Sequence, residues 1–427
     1  MNWKVAKSAV ACLLVACCGL ADQISVGQLP QVPVPVPQPI PVPVPQPIAA
    51  KPNYFMAVEL HYDRLINYAM DHFGRTRSGA WISSLDPYTN EMAEQSGASD
   101  WRMVPGSQIY WDQPSLLAAY EVGKRSGCKC YDDSATAYIR SYLHQTTGHR
   151  GKEFPLGNEV YLNALNEKIT TIQATAIQLT GRLHHTPAWE LFYAVDKVAT
   201  RKTLVSFVDK NAHDLAGKSS ALSSLCWIAQ QDGEDKDEWT AKARKLVGSV
   251  KAEPSSDNVV AFSRWCRTLA RCAKQTEDGE IDKAAQQALD QLSGLKTQSG
   301  SPSVQLQVLF DQYEAKRIRG MDVGQLIAKM NDLQLKLQAA QLTARDYARL
   351  IRFYWTAAEL NSEATSREIA KKWADRAIAK LYLEDSNMFR SRDGVDRCDA
   401  ADGPGWLFLA LMSLDGDDVT VGSAMSF

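Results

Sequence analysis

From Asn53 onward, apolar residues recur at helical spacing and almost nowhere alternate, and that periodicity limits the fold more than any other feature. Val259, Phe262, Cys266 and Leu269 share one helical face, as do Tyr347, Leu350, Ile351, Tyr354, Trp355 and Ala358. Further helices are predicted over residues 54–73, Pro114 to Lys124, Tyr131 to Tyr142, 365–383 and 404–414. Trp111-Asp112-Gln113 reads as the lead into Pro114, and Asp402 or Gly403 as the cap before Pro404. The pattern gives about a dozen to fourteen helices, with pairs of roughly 35–45 residues tiling the chain but no strict repeat. Antiparallel helix pairs either stack as an open solenoid or close into a ring. Long irregular segments at 75–111, 144–158 and 384–403 favour closure, since a solenoid uses brief turns. The expected fold is therefore all-α, an α/α toroid of six to seven helical hairpins, complete or incomplete, over residues 53–427. Trp81, Tyr88, Trp101, Tyr110, Trp111, Trp189 and Trp406 lie in or beside the irregular segments and are expected to rim one cleft.

The chain before Asn53 has a different character. Residues 1–21 carry two lysines, an apolar run from Ser8 to Leu14 and small residues at Gly19 and Ala21, the pattern of a secretory signal peptide. Leu14-Val15-Ala16-Cys17 also resembles a bacterial lipoprotein box, which would leave a lipidated Cys17 as a membrane anchor; cleavage after Ala21 would discard it. Residues 22–52 form a proline-rich stalk, in which alternating Pro and Val exclude both helix and central strand. Its Pro-rich part, extended as polyproline, spans about 75 Å. The expected location is the periplasm, cell envelope or outside of the cell. Cysteines beyond the signal region are Cys128, Cys130, Cys226, Cys266, Cys272 and Cys398, an even number that permits disulfides without assigning their pairing. Cys266 and Cys272 point apart on one helix and are not expected to pair. A net charge of -2 and the absence of a basic stripe give no reason to expect a nucleic-acid partner.

Chemistry-bearing side chains gather between residues 146 and 196. His149, Arg150, Asn158, Glu159, Tyr161, Arg182, His184, His185, Trp189 and Glu190 are punctuated there by Gly and Pro, which places most of them on loops or helix ends. Phosphate-binding, dinucleotide, metalloprotease and nucleophile-elbow motifs are absent. Aspartates at 393, 396, 399 and 402 interleave with Arg390, Arg392 and Arg397; their spacing suits a loop ion-pair network better than a calcium loop, whose oxygens alternate. No cofactor is required by the sequence, and calcium or another divalent metal stays open.

Four segments, RTRSGAWISSLDP, YWDQPSLLAAYEVGKRSG, HHTPAWELFYAVDKVATRK and FRSRDGVDRCDAADGPGWLFLAL, resemble secreted bacterial α/α-toroid enzymes that degrade polysaccharides, with pectate-lyase-like uronate lyases the nearest group. The resemblance spans residues 58–215 and 345–414. It implies an acidic polysaccharide or other glycan as partner, cleaved by β-elimination beside a uronic acid. In such enzymes Asn, His or Arg neutralises the carboxylate while Tyr or His moves the proton, and Asn158, Tyr161, Arg182 and His185 are the matching residue types. Arg150, Trp111, Trp189, Glu190, Arg392 and Arg397 are the residues expected to hold substrate. Two alternatives stand beside the lyase. A hydrolase of the same fold would use a pair of carboxylates such as Glu159 and Glu190, with Asp112 and Asp393 behind them. A non-catalytic envelope protein would bind glycan or a partner through the aromatic rim.

Overall fold

The computed structural model describes residues 53–75, 77–92, 105–148, 151–157, 159–172, 185–231, 233, 235–295, 300–361 and 364–415. Residues 1–52, and with them Cys17, the signal segment and the stalk, lie outside these, as do Trp101, His149, Arg150, Asn158, Arg182 and His184.

The chain is all-α. In order the helices are α1 (Tyr54–Tyr68), α2 (Ile109–Ser126), α3 (Lys129–Thr147), α4 (Trp189–Tyr193), α5 (Lys197–Asn211), α6 (Leu215–Gln231) and α7 (Lys236–Gly248). They continue with α8 (Val259–Thr276), α9 (Gly279–Gly294), α10 (Pro302–Ile318), α11 (Gly324–Ala339), α12 (Ala344–Asn361), α13 (Ala364–Leu381) and α14 (Pro404–Met412). Local chemistry sets the ends. Asn53 accepts the Met56 amide at 2.6 Å to start α1, Asp278 accepts two amides to start α9, and Ser301 with Pro302 behind it starts α10. Gly127 and Gly148 close α2 and α3 in the left-handed conformation, at φ 72° and 65°.

Two kinds of helix alternate. α7, α9 and α11 bury one face each, whereas α6, α8, α10 and α14 are buried almost all round. The fully buried helices are neighbours in series, α6 on α8, α8 on α10, α10 on α12, α12 on α14 and α14 on α2. Between α2 and α6 runs the segment around α4: Ala188 N–H donates to Gln113 Oε1 of α2, and Trp189 Nε1 donates to Ser224 Oγ of α6 at 2.8 Å. α8, α10 and α12 run parallel, because cross-helix pairs advance together along them: Arg267 meets Asp311 and Arg271 acts on Glu314, Ser303 meets Asp346, and Tyr313 meets Thr356.

The strands are short. β1 (Ser84–Leu85) pairs with β7 (Cys398–Asp399), β5 (Tyr382–Leu383) with β6 (Met388–Phe389), and β2 (Gly106–Ser107), β3 (Val160–Asn163) and β4 (Lys168–Thr171) form one antiparallel sheet. The β3–β4 hairpin was not expected. It places Tyr161, expected on a loop or helix end, in β3 opposite Thr170. α2 likewise begins at Ile109 rather than Pro114; the Trp111 and Asp112 amides both bond the Gln108 carbonyl and close its first turn ahead of the proline.

The expected aromatic rim is a second correction. Trp81, Tyr110, Trp111, Trp189 and Trp406 are each at most 3% exposed and fill the core, while Tyr88 is exposed. Three of them carry hydrogen bonds that fix helix contacts, such as Trp81 Nε1 to Ser134 Oγ at 3.0 Å. Cys128 and Cys130 are joined in a disulfide, and Cys226, Cys266, Cys272 and Cys398 are buried thiols. No described helix is long and apolar enough to cross a membrane.

Candidate functional site

The interior of the helix series is not apolar throughout. Along α8, Arg264, Arg267 and Arg271 recur at helical spacing, and Arg345, Arg349 and Arg352 do the same along α12. Between them α10 presents Gln307, Asp311 and Glu314. The parallel register stacks these side chains in three tiers about 5 Å apart, one per helical turn.

The middle tier is balanced. Arg267 Nη1 lies 2.8 Å from Asp311 Oδ1, Ser263 Oγ donates to the other oxygen of Asp311 at 3.0 Å, and Arg349 Nη1 lies 3.3 Å from Asp346 Oδ1. At the far tier burial opposes ionisation of Glu314, but Arg352, Arg317 and Arg271 outweigh it and hold the carboxyl down to about 2. The near tier is cationic. Burial pushes Arg345 down to about 9, helped by repulsion from Arg349 and Arg264. Burial likewise pushes Arg264 down to about 10; Asp311 opposes the shift, and Arg267 and Arg349 add to it. Both stay charged at neutral pH.

His185 faces this tier, where the α4 segment crosses between α2 and α6. Its ring stacks on Tyr110 at 4.1 Å and meets Trp111 edge-on at 5.1 Å, and the Arg345 guanidinium sits 5.4 Å over the Trp111 ring. The backbone is clamped as well: Tyr110 Oη donates to the His185 carbonyl at 2.6 Å and accepts its amide at 3.0 Å. Nδ1 lies 3.1 Å from the Thr186 carbonyl, which can only accept, so the proton is assigned to Nδ1 and the lone pair to Nε2. Burial lowers the imidazole to about 3, with Arg345 and Arg264 adding to the shift, so the ring is neutral. Nε2 has no hydrogen-bond partner among the described residues, nor have Trp111 Nε1, Gln307 Nε2, Arg345 Nε, and Arg349 Nε and Nη2. Buried polar atoms are ordinarily paired. Unpaired N–H donors together with an unpaired nitrogen acceptor are the chemical complement of an anionic group that also carries a removable proton.

Of the residues singled out in the sequence, His185 and Trp111 come together here. Asn158, Arg182 and Arg150 lie outside the described residues. Tyr161 is buried in β3, and Trp189 is buried against α6. Glu190 stands in the first turn of α4, its carboxyl raised by burial and its Oε2 unpartnered. Arg392 is 3.0 Å from Asp402 and Arg390 is 2.8 Å from Asp396, which is the loop ion-pair network anticipated for this run. Arg397 lines a separate cavity of about 920 Å³ with Asp86, Glu91, Asn163 and Asp396. Asp112 is engaged by the Ser83 and Tyr138 hydroxyls at 2.5 and 2.6 Å and raised by burial to about 7, a structural carboxyl rather than one facing substrate. Among the described residues no cluster of three or more His, Cys, Asp or Glu is placed to hold a metal ion.

Sequence reasoning missed Arg264, Arg345 and Arg349. The signal was there, since arginines at helical spacing within apolar runs such as VVAFSRWCRTLARC are out of place on a buried helix unless they share a face. No family model matches the chain, and no curated protein does.

Proposed function

We propose that this chain is an exported α/α toroid that binds an acidic, uronate-containing polysaccharide and cleaves it by β-elimination. The serial packing of fully buried helices, bridged at the α4 segment, supports ring closure. The observation that carries the function is the cationic near tier around a neutral His185 with a free Nε2 lone pair. Removing a proton beside a carboxylate requires that the carboxylate's charge be offset, which Arg264 and Arg345 supply. The proton passes to His185 Nε2, its electron pair forms the new double bond, and the bond to the glycosidic oxygen breaks. The imidazolium then returns the proton to that oxygen. An imidazole at about 3 is a weak base alone, but a bound carboxylate next to it raises its affinity for the proton. The engagement of Asp112 by two hydroxyls leaves Glu159 and Glu190 as the carboxylate pair of the hydrolase alternative. Residues 1–21 would export the chain and residues 22–52 would hold the domain away from a surface, with or without a lipid on Cys17.

The test is to incubate the full chain with uronate polymers and follow the ultraviolet absorbance of unsaturated ends. His185→Ala is expected to lower turnover about a hundredfold or more while binding persists, and Arg345→Gln to weaken both. Reducing ends without absorbance would mean hydrolysis. Binding with neither product would make the domain a glycan-binding module.

A further inference from the structure

The arginine column raises a question of charge that catalysis does not answer. Arg345 is 5% exposed, and the carboxylates that act on it, Asp402 and Asp346, are each paired with another arginine. Asp311 and Asp346 are consumed within the middle tier, and Glu314 at the far one. Asp402, the nearest further carboxylate acting on Arg345, is already 3.0 Å from Arg392. Positive charge buried without a counter-charge is among the least tolerable arrangements in a protein interior. Guanidinium does not relieve it by losing its proton near neutral pH.

The unpartnered donors show where the counter-charge belongs. Arg345 Nε and Arg349 Nε and Nη2 lie on one face of α12, one turn apart, on side chains that are 5% and 2% exposed. Gln307 Nε2, on a side chain 4% exposed, comes from the α10 face that carries Asp311 one turn later, and the register of α8, α10 and α12 places Gln307 with Arg264 in the near tier and within one turn of Arg349 in the middle one. Trp111 Nε1 approaches from α2, its ring under Arg345. Donors converging from three helices, with no acceptor assigned to them, match an oxyanion that accepts several hydrogen bonds at once.

We infer that the Arg264–Gln307–Arg345–Arg349 cradle binds a small oxyanion, a carboxylate, sulfate or phosphate, as an integral part of the folded domain. This goes beyond the lyase reading, because it needs the cradle and no reaction. An inorganic oxyanion and a uronate carboxylate would then compete for one seat, and the free anion concentration would set both stability and access for substrate.

The test uses the full chain exchanged into chloride, with thermal unfolding followed in phosphate, sulfate or galacturonate at matched ionic strength. Each oxyanion at about 10 mM is expected to raise Tm by several degrees over chloride, with the rise growing as the logarithm of concentration. Arg349→Gln should lose the increment. Gln307→Leu removes one donor and no charge, so it reads the site even if Arg349→Gln fails to fold. It should raise the anion concentration needed for half the effect on the order of tenfold. A Tm that follows ionic strength alone, or an increment unchanged in Gln307→Leu, overturns the inference. Oxyanion-dependent Tm without unsaturated products would remove the lyase and leave this site standing. Products from a protein indifferent to oxyanions would do the reverse.

Discussion

Lowering the pH should destabilise the domain through two imidazoles held neutral in its core, and the size of the effect follows from their surroundings. His61 of α1 is 2% exposed, packs 4.6 Å from the Phe408 ring, and accepts the Phe389 amide at Nδ1 over 3.2 Å. Burial lowers it to about 3, the same level as His185. Each is depressed below its unfolded value of 6.5, so its stabilising contribution is complete above pH 6.5 and is lost as pH falls toward 3. Within that window each histidine removes about 1.4 kcal/mol per pH unit. Asp112 acts with the opposite sign. Burial raises it to about 7 from 3.8, so its contribution is present at low pH and lost as pH rises, and acidification returns about 1.4 kcal/mol per unit. The expected net loss between pH 6 and 5 is thus about 1.4 kcal/mol per unit from these three groups. His61→Asn keeps an acceptor for the Phe389 amide but cannot titrate, and should flatten the slope to near zero. Asp112→Asn should roughly double it. Urea unfolding at stepped pH on the three proteins gives these slopes directly, and titrations common to all three cancel in the differences. Equal slopes for the parent and His61→Asn would refute the assignment of a neutral buried His61.

Three further outcomes are expected. Tyr161→Phe should fold with a loss of about 1 kcal/mol or less and leave turnover on uronate polymers within a small factor; a drop of about a hundredfold with folding intact would return that hydroxyl to the mechanism. A Cβ at Gly405 would overlap the backbone of Pro114 and Ser115 where α14 crosses α2, so Gly405→Ala should cost about 1–3 kcal/mol or more in urea unfolding. Normal stability would mean that α14 and α2 can separate there. If Cys17 is lipidated, Cys17→Ala should block processing and release the protein from membranes, whereas an unchanged soluble product would leave only the cleavage after Ala21.

The all-α class was legible because amphipathic periodicity is a local property. The helices expected over 365–383 and 404–414 begin at Ala364 and Pro404, and the face from Val259 to Leu269 lies on α8. What failed depended on distance along the chain. The hairpin from Val160 to Thr171 is too short to outweigh its surroundings, although VYLN and KITT carry strand-prone side chains around a turn that sets Glu167 at φ 58°. Burial of Trp81, Trp111, Trp189 and Trp406 is fixed by partners far away in sequence, so the aromatics looked like a rim when they are core. His185 could be singled out in the sequence because Gly and Pro isolate it on a non-helical segment. The arginines opposite were not, because on a helix buried all round the apolar spacing does not reveal which polar residues face one another.

The parallel course of α8, α10 and α12 has a consequence at long range. Each contributes the positive end of its helix dipole at the same side of the bundle, where Arg345 stands in the first turn of α12 and Arg264 and Gln307 in the second turns of α8 and α10. Peptide dipoles and side-chain charges therefore add instead of cancelling, as they would if neighbouring buried helices ran in opposite directions. A polyanion diffusing nearby would be drawn to that side before any contact forms. Its capture rate should fall steeply as added salt shortens the reach of the field, even where its final affinity changes little.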